Sequence, residues 1–269
     1  MKEGVVSSSP AIWDRVVCGI DGTRASFEAA RAVSRLMPPS ASLTLCAVVD
    51  LASGRSDEST EQQLTSDAQA ALRQAQQEID GRHDAELLLR EGAPSRMLLD
   101  AVATERATLV AVGSHGRGRA AGFAFGSVAS TMLHQTSCSV LISHSAERER
   151  EPKPEAGAVV IGFDGSGGAR RALAVARELS ARLAMQLHAV VALGGALVAP
   201  ELLWVQEDLG DDVTVSEDPR PPVSALAEAS RSADLVIVGS RHLPGVLSAL
   251  SSVSERTAHR VACPVLVVR

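Results

Sequence analysis

Six residues carry the most specific chemical signal in the sequence. Gly113-Ser114-His115-Gly116 is followed, after nine residues, by Gly126-Ser127. Phosphate recognition needs unobstructed backbone N–H groups, and glycine supplies them because it lacks a Cβ and tolerates positive φ. Gly113 and Gly116 can take positive φ, and free amides in such a turn form an anion-binding nest. Gly126 and Ser127 open a helical segment, and the free amides and dipole of a helix start also favour phosphate. Taken singly, each glycine also suits an ordinary turn; the set in this register points to a polyphosphate. Asp21, in Asp21-Gly22-Thr23, closes an apolar run. A carboxylate there suits a ribose hydroxyl, and it equally suits capping of the helix that follows. Arg117 and Arg119 are the cations inside the loop, fit for phosphate contact or for plain solvation. His115 has no carboxylate near it in sequence to orient it as a general base. The sequence contains no G-x-x-x-x-G-K-[ST] and no G-x-G-x-x-G after its first strand, so neither the P-loop nor the dinucleotide fingerprint applies.

The elements that position these residues occur twice. Arg15–Thr23 (RVVCGIDGT) returns as Ala158–Ser166 (AVVIGFDGS), Leu109–Ser114 as Leu235–Ser240, and Ser137–Ser143 as Ala262–Val268. The matches keep their order while their spacing shrinks, so the second copy is the shorter. Between them the charged, twice proline-broken stretch 147–155 reads as a linker. Domains over 1–146 and 156–269 are therefore expected. In the first copy, short apolar runs near 15–20, 43–49, 85–89, 108–112 and 138–143 read as strands. They alternate with segments of helical period, such as Leu64, Ala68, Ala71, Leu72, Ala75 and Ile79. The pattern predicts an α/β fold of two tandem doubly wound five-stranded parallel units, each of strand order 3-2-1-4-5. In the second unit only 194–211 separate the second and third strands, leaving little room for a second helix. Ligands of such sheets sit at the carboxyl ends of the strands where the order reverses, here between the first and fourth, beside Asp21 and Gly113.

Composition removes several classes of function. Among 269 residues, aromatics are 2% with no Tyr, too few to build a base-stacking platform. The net charge of −6 repels nucleic acid and anionic lipid. Cys18, Cys46, Cys138 and Cys263 lie singly in apolar runs, which predicts buried small hydrophobes and no disulfide or metal role. No run approaches the ~18 apolar residues of a membrane span, and residues 1–14 lack a signal-peptide core, so a cytoplasmic location is expected.

With these residues in view, the sequence resembles the universal stress protein family across nearly its whole length, twice. The resemblance rests on Gly113-x2-Gly116-x9-Gly126-Ser127, the strand closed by Asp21, and the final Cys-x-Val-Leu-Ile strand. It implies ATP at the switch point of the first copy, with Asp21 on the ribose and the backbone of Val48 on the adenine. Gly113, Gly116, Gly126 and Ser127 would hold the phosphates, with His115, Arg117 and Val128 close by. Some members bring Mg²⁺ or Mn²⁺; with no carboxylate cluster here, the ion would ride on the nucleotide. The second copy departs from the pattern. His242 stands for Gly116, Ser251 and Ser252 for Gly126 and Ser127, and Pro244 enters the loop. The expected role is a regulatory stress-response module without catalytic residues, its rivals being a slow ATPase and a purely structural interaction module. Family members commonly pair through the last strand. The alternation of Val140 and Ile142, and of Val265 and Val267, suits pairing of the two copies within one chain. A homodimer of the whole chain is compatible with this.

Overall fold

The computed structural model describes residues 13–51, 58–79, 81, 84–116, 126–145, 157–194, 208–240 and 253–269. In chain order the first copy runs β1 (Arg15–Gly19), α1 (Arg24–Leu36), β2 (Ser42–Val49), α2 (Glu58–Glu78) and β3 (Ala85–Glu91). It continues with α3 (Pro94–Thr104), β4 (Leu109–Gly113), α4 (Ser127–Gln135) and β5 (Ser139–Ser143). The second copy contributes β6 (Ala158–Gly162), α5 (Gly167–Leu183), β7 (Gln186–Ala192), β8 (Thr214–Asp218), α6 (Pro222–Ala229), β9 (Leu235–Gly239), α7 (Val253–Arg260) and β10 (Val265–Val268). The linker at 147–155 and most of the 194–211 stretch lie outside the described residues.

Helix starts follow local chemistry. The Thr23 hydroxyl accepts a hydrogen bond from the Ser26 amide, and Ser166 does the same for Ala169, so both first helices carry a side-chain cap. Pro94 opens α3, where its missing N–H costs nothing. The strands of β1, β4, β6 and β9 are apolar on both faces, as strands covered by helices on two sides must be. Val17, Cys18, Val110 and Ala111 are completely buried.

All ten strands form one sheet in the order β3-β2-β1-β4-β5-β10-β9-β6-β7-β8. Each half has the expected 3-2-1-4-5 order, and every pairing within a half is parallel. The halves meet at β5 and β10, which run antiparallel with Ile142 opposite Val265, Leu141 opposite Leu266 and Val140 opposite Val267. All six side chains are buried to 2% exposure or less. Edge pairing of the closing strands therefore joins the copies into one sheet where two separate sheets would each have left an apolar edge. Side chains flank the seam. The Arg182 guanidinium donates to the Leu36 carbonyl and that of Arg269 to the Leu133 carbonyl. His134 Nε2 lies 3.2 Å from Glu255 Oε1. Burial lowers the pKa of both arginines below the ordinary guanidinium value.

Candidate functional site

Parallel order reverses between β1 and β4, and the chain leaves those two strands in opposite directions. This opens a cavity of about 700 Å³ at their carboxyl ends. Asp21, Val48, Gly113, His115, Gly116, Gly126, Ser127 and Val128 all line it. Arg117 and Arg119 lie outside the described residues. The sequence reading missed Asp50, Leu64, Ala68, Pro94, Ser95 and Leu98, which also line the cavity. They belong to β2's exit, α2 and the start of α3. The rule that ligands sit at strand carboxyl ends would have drawn in the exits of β2 and β3 as well.

The start of α4 is the chemical centre of this cavity. Gly126 is the N-cap, with φ −67° and ψ 146°, and makes no side-chain cap. The first-turn amides of a helix have no intrahelical acceptor. Ser127, Val128 and Ala129, the first three residues of α4, line the cavity without that substitute. The Gly126 amide itself donates to the Ser114 carbonyl at 2.9 Å, which ties the start of α4 to the exit of β4. Its N–H is thus already used, and the absence of a side chain at Gly126 is what leaves the helix start open.

Two expectations about the glycines need correction. Neither Gly113 nor Gly116 has positive φ, so the turn is not a left-handed nest. Gly113 is small for another reason. A Cβ there would lie 2.8 Å from the Ser26 nitrogen and 2.9 Å from the Ala25 carbonyl carbon, inside the α1 backbone. Gly239 holds the same place in the second copy, where a Cβ would meet the Gly168 carbonyl carbon at 2.2 Å. The copy with the altered cradle keeps this glycine too, so close strand–helix packing accounts for it. Replacing Gly113 with Ala should destabilise the fold by about 1–3 kcal/mol, the usual cost of overpacking; a urea midpoint equal to wild type would refute this.

Asp21 divides its carboxylate. Oδ1 accepts from the Thr23 amide at 2.9 Å and the Thr23 hydroxyl at 2.6 Å, bracing the turn into α1. Oδ2 faces Gly116, on which a Cβ would lie 3.1 Å away. Asp21 thus braces the turn and leaves the capping of α1 to Thr23, while Oδ2 faces the cavity. β1 stops at Gly19, two residues before Asp21, so the carboxylate stands on the turn beyond the strand. His115, which sequence left without an orienting group, has one: Ser114 Oγ lies 2.8 Å from its Nδ1. Cys46 also lines the cavity, but burial pushes its thiol up to about 11, so no thiolate nucleophile is present near neutral pH. All four cysteines are buried and free. No cluster of three or more His, Cys, Asp or Glu side chains capable of holding a metal occurs among the described residues.

In the second copy the Ser240 carbonyl stands where that of Ser114 does. It accepts from Arg171 Nη2 at 3.3 Å. Phe163, 3% exposed, fills the position of Ile20. His242, Pro244, Ser251 and Ser252 lie outside the described residues. No helix among the described residues is long and apolar enough to cross a membrane.

Comparison with known proteins identifies a family over two segments of the chain. The model of the universal stress protein family matches residues 13–144 and 194–269. The chain is 32% identical over 187 residues to universal stress protein Rv2005c of Mycobacterium tuberculosis, a match covering 62% of this chain and 63% of that relative's length. A universal stress protein of Mycolicibacterium smegmatis is 30% identical over 206 residues, 67% of each chain. The crystal structure of a universal stress protein from Archaeoglobus fulgidus superposes over 96% of this chain and 97% of its own, with a TM-score of 0.73 at 21% identity.

Proposed function

Because the chain belongs to the universal stress protein family, we propose that it is a regulatory stress-response module that binds an adenine nucleotide, ATP, in its first copy. The observation that carries this reading is the uncapped start of α4 opening into a 700 Å³ cavity. Three first-turn amides with no acceptor among the described residues and the positive end of a helix form an anion site for the phosphates. The volume falls in the range of small-ligand pockets. Asp21 Oδ2 supplies an acceptor for a ribose hydroxyl. Val48, Ala68 and Leu98 give the apolar wall on which a purine can lie, with the Val48 backbone at the base edge. The residues present thus fit the nucleotide, and a divalent ion would arrive with the triphosphate. No metal cluster and no ionised thiol is placed in the cavity among the described residues, which supports binding as the output over turnover. Four free buried thiols suit a reducing compartment, and the cytoplasm is the proposed location.

The reading is tested by following backbone amide resonances during an ATP titration. Shifts should concentrate on Val48, Gly116, Ser127, Val128 and Ala129, with Gly162 and Ser240 unmoved. Shifts centred on the second copy, or none at saturating ATP, would overturn it.

A further inference from the structure

We propose that β3 is a self-association edge through which two copies of this chain pair antiparallel, continuing the ten-stranded sheet across a two-fold axis. β3 and β8 end the sheet, and among the described residues each has one side without a partner strand. The two ends differ in kind. β8 reads Thr-Val-Ser-Glu-Asp, offers no cation, and its Asp218 is already paired with Arg220 at 2.6 Å. Acidic, short and polar, it is blunted against association. β3 reads Ala-Glu-Leu-Leu-Leu-Arg-Glu, two residues longer, with Leu87 39% exposed. Glu86 and Arg90 are both exposed and make no ion pair or hydrogen bond among the described residues.

The register follows from the strand itself. The Gly92 amide donates to the Val49 carbonyl of β2. Alternation then turns the backbone groups of Glu86, Leu88 and Arg90 toward β2, and those of Ala85, Leu87, Leu89 and Glu91 outward. An antiparallel partner centred on Leu88 places Leu87 opposite Leu89 of the second copy as hydrogen-bonded pairs. Glu86 then falls opposite Arg90 of the second copy, twice by symmetry, at the non-hydrogen-bonded positions where side chains approach most closely. The central Leu88 meets its own counterpart. Opposite charges thus fall together only when the strand pairs with itself, which is the self-complementarity an isologous interface requires. Pairing β3 with β8 of another copy would leave Glu86 facing an acidic strand and would not close.

The test is sedimentation velocity of the full-length chain over a concentration series. Wild type should move from single-chain to two-chain mass as concentration rises. Glu86→Arg and Arg90→Glu should each weaken dimerisation at least tenfold, because each places like charges opposite one another. An equimolar mixture of the two variants should dimerise again, since the mixed pair restores both contacts. The double variant Glu86→Arg/Arg90→Glu should behave as wild type, and circular dichroism of each variant confirms folding. A wild type that stays at single-chain mass, a dimer indifferent to both single changes, or a mixture that stays monomeric would overturn the proposal.

Discussion

Replacing Gly126 with aspartate should abolish ATP binding while leaving the fold as stable as wild type, or slightly more so. The backbone at Gly126, φ −67° and ψ 146°, is open to any L-residue. Aspartate is among the preferred N-cap residues, and its carboxylate would accept from the first-turn amides of α4. Those are the amides assigned to phosphate, so the new side chain would occupy the site and repel the ligand together. Binding should weaken at least 100-fold, about 2.7 kcal/mol, while thermal stability holds or rises by a few tenths of a kcal/mol. Gly126→Ala separates space from charge. Its Cβ would lie 3.3 Å from the Ser114 carbonyl oxygen, a tight but tolerable contact, so it should bind more weakly than wild type and far better than the aspartate variant. A Gly126→Asp protein that binds ATP normally would remove α4 from the site.

The second large effect is expected from residues 1–150 expressed alone. Without β10, the outer edge of β5 loses its partner, and Val140, Leu141 and Ile142, each completely buried in the whole chain, border an open edge. An apolar edge strand of this kind recruits other chains. The fragment should self-associate or precipitate at concentrations where the full chain remains dispersed, by light scattering after size exclusion. Adding Arg90→Glu to the fragment should not cure this, because the seam and the β3 edge are separate surfaces. A stable monomeric fragment that binds ATP would show that the second copy is dispensable to the first. The link from structure to function here is tethering: the second copy covers the first at high effective concentration.

Much of this was legible in the sequence because the relevant signals are local and repeated. Apolar runs such as Leu109–Val112 and Leu235–Val238 announce buried parallel strands, and Thr23 and Ser166 announce the helices after them. Pairing of the closing strands followed from asking what covers Ser139–Ser143 and Val265–Val268; its antiparallel direction comes from the structure. What escaped depends on distances between elements. Gly113 looked like a ligand glycine, yet its size is set by the α1 backbone at 2.8 Å, which no spacing rule reports. The Gly126 amide looked free and is taken by Ser114, a contact between the two ends of a nine-residue loop. Pro94, Ser95 and Leu98 reach the cavity only because α3 packs beside α4. Asp21 was expected to cap the first helix; Thr23 does that instead, and Asp21 Oδ1 braces the turn before it.

The central claim is one nucleotide per chain, held by the first copy at the start of α4. Isothermal titration of the full-length protein with ATP tests it most directly. The predicted result is a single site with a stoichiometry of one, lost in Gly126→Asp. It should be retained when Arg171, which occupies the Ser240 carbonyl of the second copy, is changed to Ala. Two equivalent sites per chain, or heat of binding that survives Gly126→Asp, would contradict it.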